Sequence, residues 1–126
     1  MIDIKQLNGA TLAFIGDALM TLKVREYLVN HGYTNTKQLQ EMSIEYVSAR
    51  AQANFMMVII DKLTTEEMLI YKRGRNHKSN TIPKNADVNQ YRMATGLEAL
   101  WGYWHLIGEY KRIDQMFRLM TEKNNP

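Results

Sequence analysis

Two acidic residues, Asp17 and Glu98, lie among apolar and small residues where a carboxylate is costly. Asp17 stands in the segment Phe14-Ile-Gly-Asp-Ala-Leu-Met20, and Glu98 stands in Ala94-Thr-Gly-Leu-Glu-Ala-Leu-Trp-Gly102. An ionised carboxylate on such a face is unfavourable unless something pairs with it. The pattern therefore marks both acids as candidates for a ligand site, with buried ion pairs or backbone caps as the structural alternative.

Glycines accompany both acids, and they allow another helix to approach closely. Gly16 precedes Asp17, while Gly96 and Gly102 flank Glu98. Two helices that cross at these small residues would bring the carboxylates together, and a divalent cation would relieve their repulsion. Magnesium commonly takes one or two protein carboxylates and leaves its other positions to water and phosphate. Bound in this way, it can support hydrolysis of a phosphodiester.

A basic segment between Met68 and Ala86 carries five cationic residues and no acid. Its amide and hydroxyl side chains can also reach phosphate or ribose oxygens, which is typical of nucleic-acid binding. Aromatic residues are nearly absent from it, and this favours contact with a duplex over stacking on single-stranded bases. A solvated basic loop is the alternative.

The positions of apolar residues predict helices throughout the chain. With two prolines and no convincing pair of strands, the 126 residues predict a single all-α domain of five to seven helices. Asn35, Ser43, Thr64 and Asp87 are predicted N-caps. The predicted longer helices are Thr11–Asn30, Ile44–Lys62, Thr64–Lys72, Val88–Ile107 and Glu109–Glu122, with a short helix after Asn35 and a loop from Gly74 to Ala86.

Composition excludes several classes of protein. The chain has no cysteine, so disulfide scaffolds, thiol catalysis and cysteine zinc sites are excluded. No apolar run approaches the roughly 18 residues of a membrane span, and the N-terminus lacks the layout of a secretion signal. We therefore expect a cytoplasmic protein with no membrane partner. The formal net charge of +3 permits an anionic partner.

Three segments carry a resemblance to a known family. Phe14-Ile-Gly-Asp-Ala-Leu19 resembles the signature helix of ribonuclease III, and Leu97-Glu-Ala-Leu-Trp-Gly102 resembles the second acidic motif of that family. Lys72-Arg-Gly-Arg-Asn-His-Lys78, followed by Pro83-Lys-Asn85, is similar to the mini-ribonuclease III branch, in which the catalytic domain stands alone. The resemblance extends from about Leu7 to Met120.

The resemblance implies a ribonuclease III endonuclease domain over residues 1–126, without a double-stranded-RNA-binding domain. It also implies a homodimer that uses Mg²⁺ to hydrolyse double-stranded RNA, each subunit cutting one strand and leaving a 5′ phosphate. This branch matures 23S ribosomal RNA precursors, so the resemblance implies that RNA shape or a ribosomal-protein partner positions the cut. Asp17 and Glu98 match the catalytic, metal-holding acids. The expected RNA-binding residues are Lys72, Arg73, Arg75, Asn76, Lys78 and Lys84.

Two positions depart from the wider family. Ala13 replaces a usual glutamate, and Thr95 replaces a common aspartate three residues before Glu98. Fewer carboxylates mean fewer direct metal contacts, so one magnesium ion is the expectation. Two alternatives remain open at this point. A non-catalytic RNA-binding protein of the same fold predicts duplex binding without cleavage, and a helical protein-interaction module predicts no RNA binding.

Overall fold

Six α-helices and two short 3₁₀ turns make up the part of the chain that the computed structural model describes, residues 2–77, 82 and 84–123. No strand occurs among these residues, so the predicted all-α class is confirmed. None of the described helices is both long and apolar enough to cross a membrane. The helices are α1 (Gly9–Asn30), α2 (Thr36–Val47), α3 (Ala49–Ile59), α4 (Thr65–Arg75), α5 (Val88–Leu106) and α6 (Tyr110–Lys123).

Helices α1 and α5 form the most extensive helix pair of the fold. Their backbones meet at two glycines. A methyl group added at Gly16 would lie 1.7 Å from the carbonyl oxygen of Glu98, and one at Gly102 would lie 1.9 Å from that of Leu12. Side chains cannot be accommodated at such distances, so only glycine permits this crossing. Helices α3 and α4 pack on α5 as well.

Local capping signals predicted most of the helix starts correctly. The Asn35 side chain accepts a hydrogen bond from the Gln38 N–H, and Asp87 accepts one from the Gln90 N–H. Thr64 and Glu67 form the reciprocal capping box that the sequence predicted. These bonds satisfy N–H groups that have no partner within the first turn of a helix.

The predicted helix Ile44–Lys62 is wrong, because the chain breaks at Ser48 into α2 and α3. Ser48 has an extended backbone (φ −62°, ψ 156°), and its hydroxyl accepts from the Ala51 N–H as an N-cap. The predicted cap, Ser43, lies inside α2 and donates to the Gln40 carbonyl. Apolar spacing continues across the break, so periodicity alone did not reveal it.

Other boundaries differ by a few residues. Helix α4 continues to Arg75 rather than ending at Lys72, and α1 begins at Gly9 because Asn8 caps it. The predicted loop therefore starts at Asn76 rather than Gly74. An additional 3₁₀ turn at Ile4–Gln6 precedes α1.

A buried ionic cluster fixes the first turn of α4 to α5 and α6. The carboxylate of Glu67 accepts from the Trp104 indole at 2.7 Å and from two nitrogens of Arg112 at 2.7 and 2.9 Å. Burial raises the pKa of Glu67, but the hydrogen bonds from Arg112, the Thr64 backbone and Trp104 prevail and lower it overall. This carboxylate therefore stays ionised in the interior and holds three helices together.

Candidate active site

A cleft between α1 and α5 contains both of the acids predicted to do chemistry. Helix α1 contributes residues at positions 10, 13, 14 and 17, and helix α5 contributes residues at positions 91, 92, 95 and 98, so each set lies along one side of its helix. The volume of the cleft is about 380 Å³. Its lining residues are Ala10, Ala13, Phe14, Asp17, His77, Ile82, Tyr91, Arg92, Thr95 and Glu98.

The glycine crossing explains why Asp17 and Glu98 meet. Gly16 touches the backbone of Glu98, and Asp17 is the next residue along α1. The two carboxyl groups lie close enough for the charge of Asp17 and hydrogen bonding with it to raise the pKa of Glu98, and Asp17 is exposed while Glu98 is half-buried. The prediction that two crossing helices bring these acids together is therefore confirmed.

The pair perturbs the protonation of Glu98 strongly. Burial, the charge of Asp17 and the hydrogen bond with Asp17 raise the pKa of Glu98 to about 8, while hydrogen bonding with Gln52 acts in the opposite direction. Near neutral pH without a cation, Glu98 therefore keeps its proton. A bound cation would take the place of that proton.

The donor set of the cleft fits magnesium. Two carboxylates converge at an open cleft, and magnesium typically binds one or two carboxylates while keeping several waters. Among the described residues, no cluster of three or more His, Cys, Asp and Glu side chains could hold a metal. Thr95 also lines the cleft, and its hydroxyl donates to the Tyr91 carbonyl at 3.0 Å, which leaves the hydroxyl oxygen free to act as a neutral acceptor.

Sequence reasoning missed two residues beside the acids. Arg92 lines the cleft and is exposed, six residues before Glu98. Gln52 of α3 is 3% exposed and contacts Glu98 from behind the cleft. The three-residue spacing from Arg92 to Thr95, and from Thr95 to Glu98, could have indicated Arg92. Nothing local marks Gln52, because its burial depends on how α3 packs on α5.

The predicted RNA-binding residues lie at and beyond the C-terminal end of α4. Lys72, Arg73 and Asn76 are exposed, as is Lys84, whereas Arg75 is half-buried. The fold occupies part of this set, because Arg73 donates to the carbonyls of Lys5 and Leu7 at 2.6 and 3.0 Å. The Arg75 guanidinium lies over the Tyr71 ring, 5.6 Å from its centroid. Lys78 lies outside the described residues.

Comparison with known proteins identifies the family. Residues 10–109 match the ribonuclease III domain family, a match that includes both acidic motifs. The chain belongs to the ribonuclease III family. The proposed resemblance of the three segments is thereby confirmed over most of the chain.

Relatives place the chain in the mini-ribonuclease III branch. It is 47% identical over 125 residues to the mini-ribonuclease 3 of Enterococcus faecalis, covering 98% of this chain and 95% of the relative. It is 42% identical over 125 residues to the mini-ribonuclease 3 of Streptococcus pneumoniae, covering 98% of both proteins. The chain is thus an endoribonuclease of a family that acts on double-stranded RNA and typically uses Mg²⁺.

A solved structure supports the same fold. The crystal structure of a Fusobacterium nucleatum protein aligns with a TM-score of 0.88 at 32% sequence identity, covering 98% of this chain and 99% of that one. Between the alternatives that the sequence left open, the endoribonuclease is therefore favoured over the non-catalytic RNA-binding protein and the protein-interaction module.

The raised pKa of Glu98 predicts an unusual pH dependence of stability when no divalent cation is present. Between the unfolded value of 4.5 and about 8, the folded state holds more protons than the unfolded state. The free energy of unfolding should therefore fall as pH rises through this window, by at most about 1.4 kcal/mol per pH unit. Urea denaturation with a chelator, from pH 5 to 8.5, measures the slope.

Glu98→Gln should remove that slope and be more stable than the wild type at pH 8. Glu41→Gln, which changes an exposed acid on α2, should keep it. The lowered pKa values of Glu66 and Glu67 affect stability below about pH 4.5, outside this window. If the free energy of unfolding fell with pH equally in the wild type and in Glu98→Gln, the raised pKa could not be assigned to Glu98.

Proposed function

We propose that Asp17 and Glu98 are the catalytic acids and that they hold a magnesium ion for cleavage of double-stranded RNA. The observation that carries this proposal is the close pair of carboxyl groups in an open cleft, which the exposed residue Arg92 also lines. The pair contains the acid of each family motif. Cleavage at this site yields a 5′ phosphate by attack of water on phosphorus.

Each residue of the cleft has a physical task in this mechanism. Bound magnesium supplies charge stabilisation and lowers the pKa of a water molecule, the two things that phosphodiester hydrolysis requires. Asp17 and Glu98 would hold the ion, and Glu98 would release its proton to solvent on binding it. Arg92 binds a phosphate of the substrate beside the carboxylates. A small domain offers few contacts to bases, so duplex geometry directs the RNA into the cleft.

The basic residues after α4 supply affinity for the RNA backbone. Lys72, Asn76 and Lys84 present exposed donors, and Arg75 offers a guanidinium stacked on Tyr71. Arg73 contributes through its remaining N–H groups while it anchors the N-terminal turn. We assign Lys78 the same role from its position in the sequence.

A homodimer is part of the proposal. Phe14 is 77% exposed although it lines the cleft three residues before Asp17, and Met57 of α3 is 68% exposed. Large apolar side chains in such positions are costly in a monomer and are typical of a surface that a partner covers. In a dimer, each subunit contributes one cleft and cuts one strand of the duplex.

The proposed cellular substrate is the 23S ribosomal RNA precursor. The support is membership of the mini-ribonuclease III branch, together with the limited capacity of one small domain to read sequence. Selection of the cleavage position would then come from the shape of the RNA or from a bound ribosomal protein. A cytoplasmic location is implied by such a substrate.

Asp17→Asn and Glu98→Gln should each abolish metal-dependent cleavage. We expect a loss of about a thousandfold or more, equivalent to about 4 kcal/mol of transition-state stabilisation, because each variant loses a metal-holding carboxylate. The measurement is cleavage of an end-labelled RNA duplex and of a 23S precursor, with Mg²⁺ or with a chelator. Asp61→Asn, an exposed acid outside the cleft, is the matched control.

Both variants should still bind the duplex, since the basic residues are intact. Wild-type protein that binds duplex and precursor but cuts neither would refute the assignment of Asp17 and Glu98. Cleavage of the generic duplex at staggered positions, with no cut in the precursor, would retain the enzyme and refute the ribosomal substrate.

Arg75→Ala should weaken duplex binding and flatten its dependence on salt. Removing one phosphate contact is expected to lower the slope of log affinity against log salt by about 0.9. Arg118→Ala, on α6 and away from the cleft, should leave the slope unchanged. Filter binding or fluorescence anisotropy at several salt concentrations measures both, and equal slopes in all three proteins would exclude a phosphate contact by Arg75.

Phe14→Asp should convert the dimer into a monomer. A charge at the centre of a buried apolar contact is strongly unfavourable, so the dissociation constant should rise by at least about a hundredfold. Sedimentation at micromolar concentration gives the molecular mass. Val29→Asp, about 22 Å further along α1, is the control. Wild-type protein that sediments only as a monomer would exclude the dimer.

A further inference from the structure

Gln52 is a polar residue in a position that packing alone would assign to an apolar one. It lies on α3, is 3% exposed and has buried neighbours in Ala53, Phe55 and Met56 on the same helix. A buried amide is costly unless its donors and acceptor are all engaged. Its presence therefore requires a compensating contact.

Two contacts fix the amide group of Gln52. Its Nε2 donates to the carbonyl of Val47 at 2.9 Å, which determines which end of the amide faces the α2–α3 corner. The side chain also lies beside the carboxyl group of Glu98, close enough for hydrogen bonding to act on the pKa of that acid. The amide of Gln52 thus links the Val47 backbone, where α2 meets α3, to Glu98 on α5.

One atom of this amide remains without a hydrogen bond among the described residues. Gln52 Oε1 is buried and unpartnered there. A buried acceptor of this kind is costly, and such atoms in native proteins commonly face a water or an ion. The donor side of the amide is therefore the side that engages the Val47 carbonyl and acts on Glu98.

We propose that Gln52 is a positioning residue, which holds the Glu98 carboxylate in the orientation that binds the divalent cation. This inference rests on the proposed function, because it assigns a task toward the cation that Asp17 and Glu98 hold. Hydrogen-bond partners of metal-holding side chains typically change metal affinity or activity 10- to 100-fold when they are removed. Gln52 itself touches neither the substrate nor the reacting atoms.

The test compares Gln52→Met with the wild type and with Ser48→Ala. Methionine keeps the length and volume of glutamine but cannot make either hydrogen bond. Ser48→Ala removes the N-cap at the same α2–α3 corner and lowers the stability of the fold, while it leaves Gln52 and Glu98 intact. This variant therefore shows how a destabilised α2–α3 junction alone affects Mg²⁺ binding and cleavage.

Mg²⁺ binding to the RNA-free protein is measured by calorimetry, and kcat and KM are measured on an RNA duplex. Gln52→Met should bind Mg²⁺ roughly 10- to 100-fold more weakly and lose about tenfold in kcat at fixed Mg²⁺, with KM for RNA within about twofold of wild type. Ser48→Ala should melt earlier but keep the wild-type Mg²⁺ affinity and kcat. Gln52→Asn, whose amide is one methylene shorter, should also lower both the Mg²⁺ affinity and kcat.

Wild-type Mg²⁺ affinity in both Gln52 variants, with rates matching Ser48→Ala, would overturn the inference and leave Gln52 as a structural residue. If Gln52→Met does not fold, the Mg²⁺ affinity and kcat of Gln52→Asn alone test the inference. Wild-type protein that neither binds Mg²⁺ nor cleaves the duplex would instead overturn the proposed function, and the inference with it.

Discussion

The backbone contact between α1 and α5 determines the position of everything in the cleft. Gly16 and Gly102 let the two helices meet without intervening side chains, and any Cβ there would collide with a carbonyl oxygen. Asp17 follows one of these glycines, and Glu98 lies one helical turn before the other. The distance between the two acids is therefore set by backbone atoms, which are far less adaptable than side chains.

The close approach of the two acids, which the proposed function requires, destabilises the fold. Two carboxyl groups held together and partly removed from water are unfavourable, and the raised pKa of Glu98 reflects first its burial and then the charge of Asp17. The rest of the fold compensates with contacts that do no chemistry. The buried indole and guanidinium around Glu67 are one example, and the tryptophan-rich core of α5 is another.

The sequence predicted what local physics controls. The capping side chains at Asn35, Thr64 and Asp87 act on N–H groups three residues away, so their function is readable from the sequence. Asp17 and Glu98 were recognisable because ionised groups rarely occur on apolar helix faces. The break at Ser48 and the inward position of Gln52 were not predictable in this way, because both depend on packing between helices that are distant in sequence.

Helix α4 has two ends with different demands. Its first turn is fixed by Glu67 to α5 and α6, whereas Arg75 lies eight residues later, about 12 Å along the helix, in a second cavity that shares Arg92 with the cleft. The residues that hold the fold are thus separated from those proposed to bind the nucleic acid. Substitutions around the far end can alter which RNAs are retained without loosening the ionic anchor, so substrate preference can diverge between relatives while the helical scaffold is inherited unchanged.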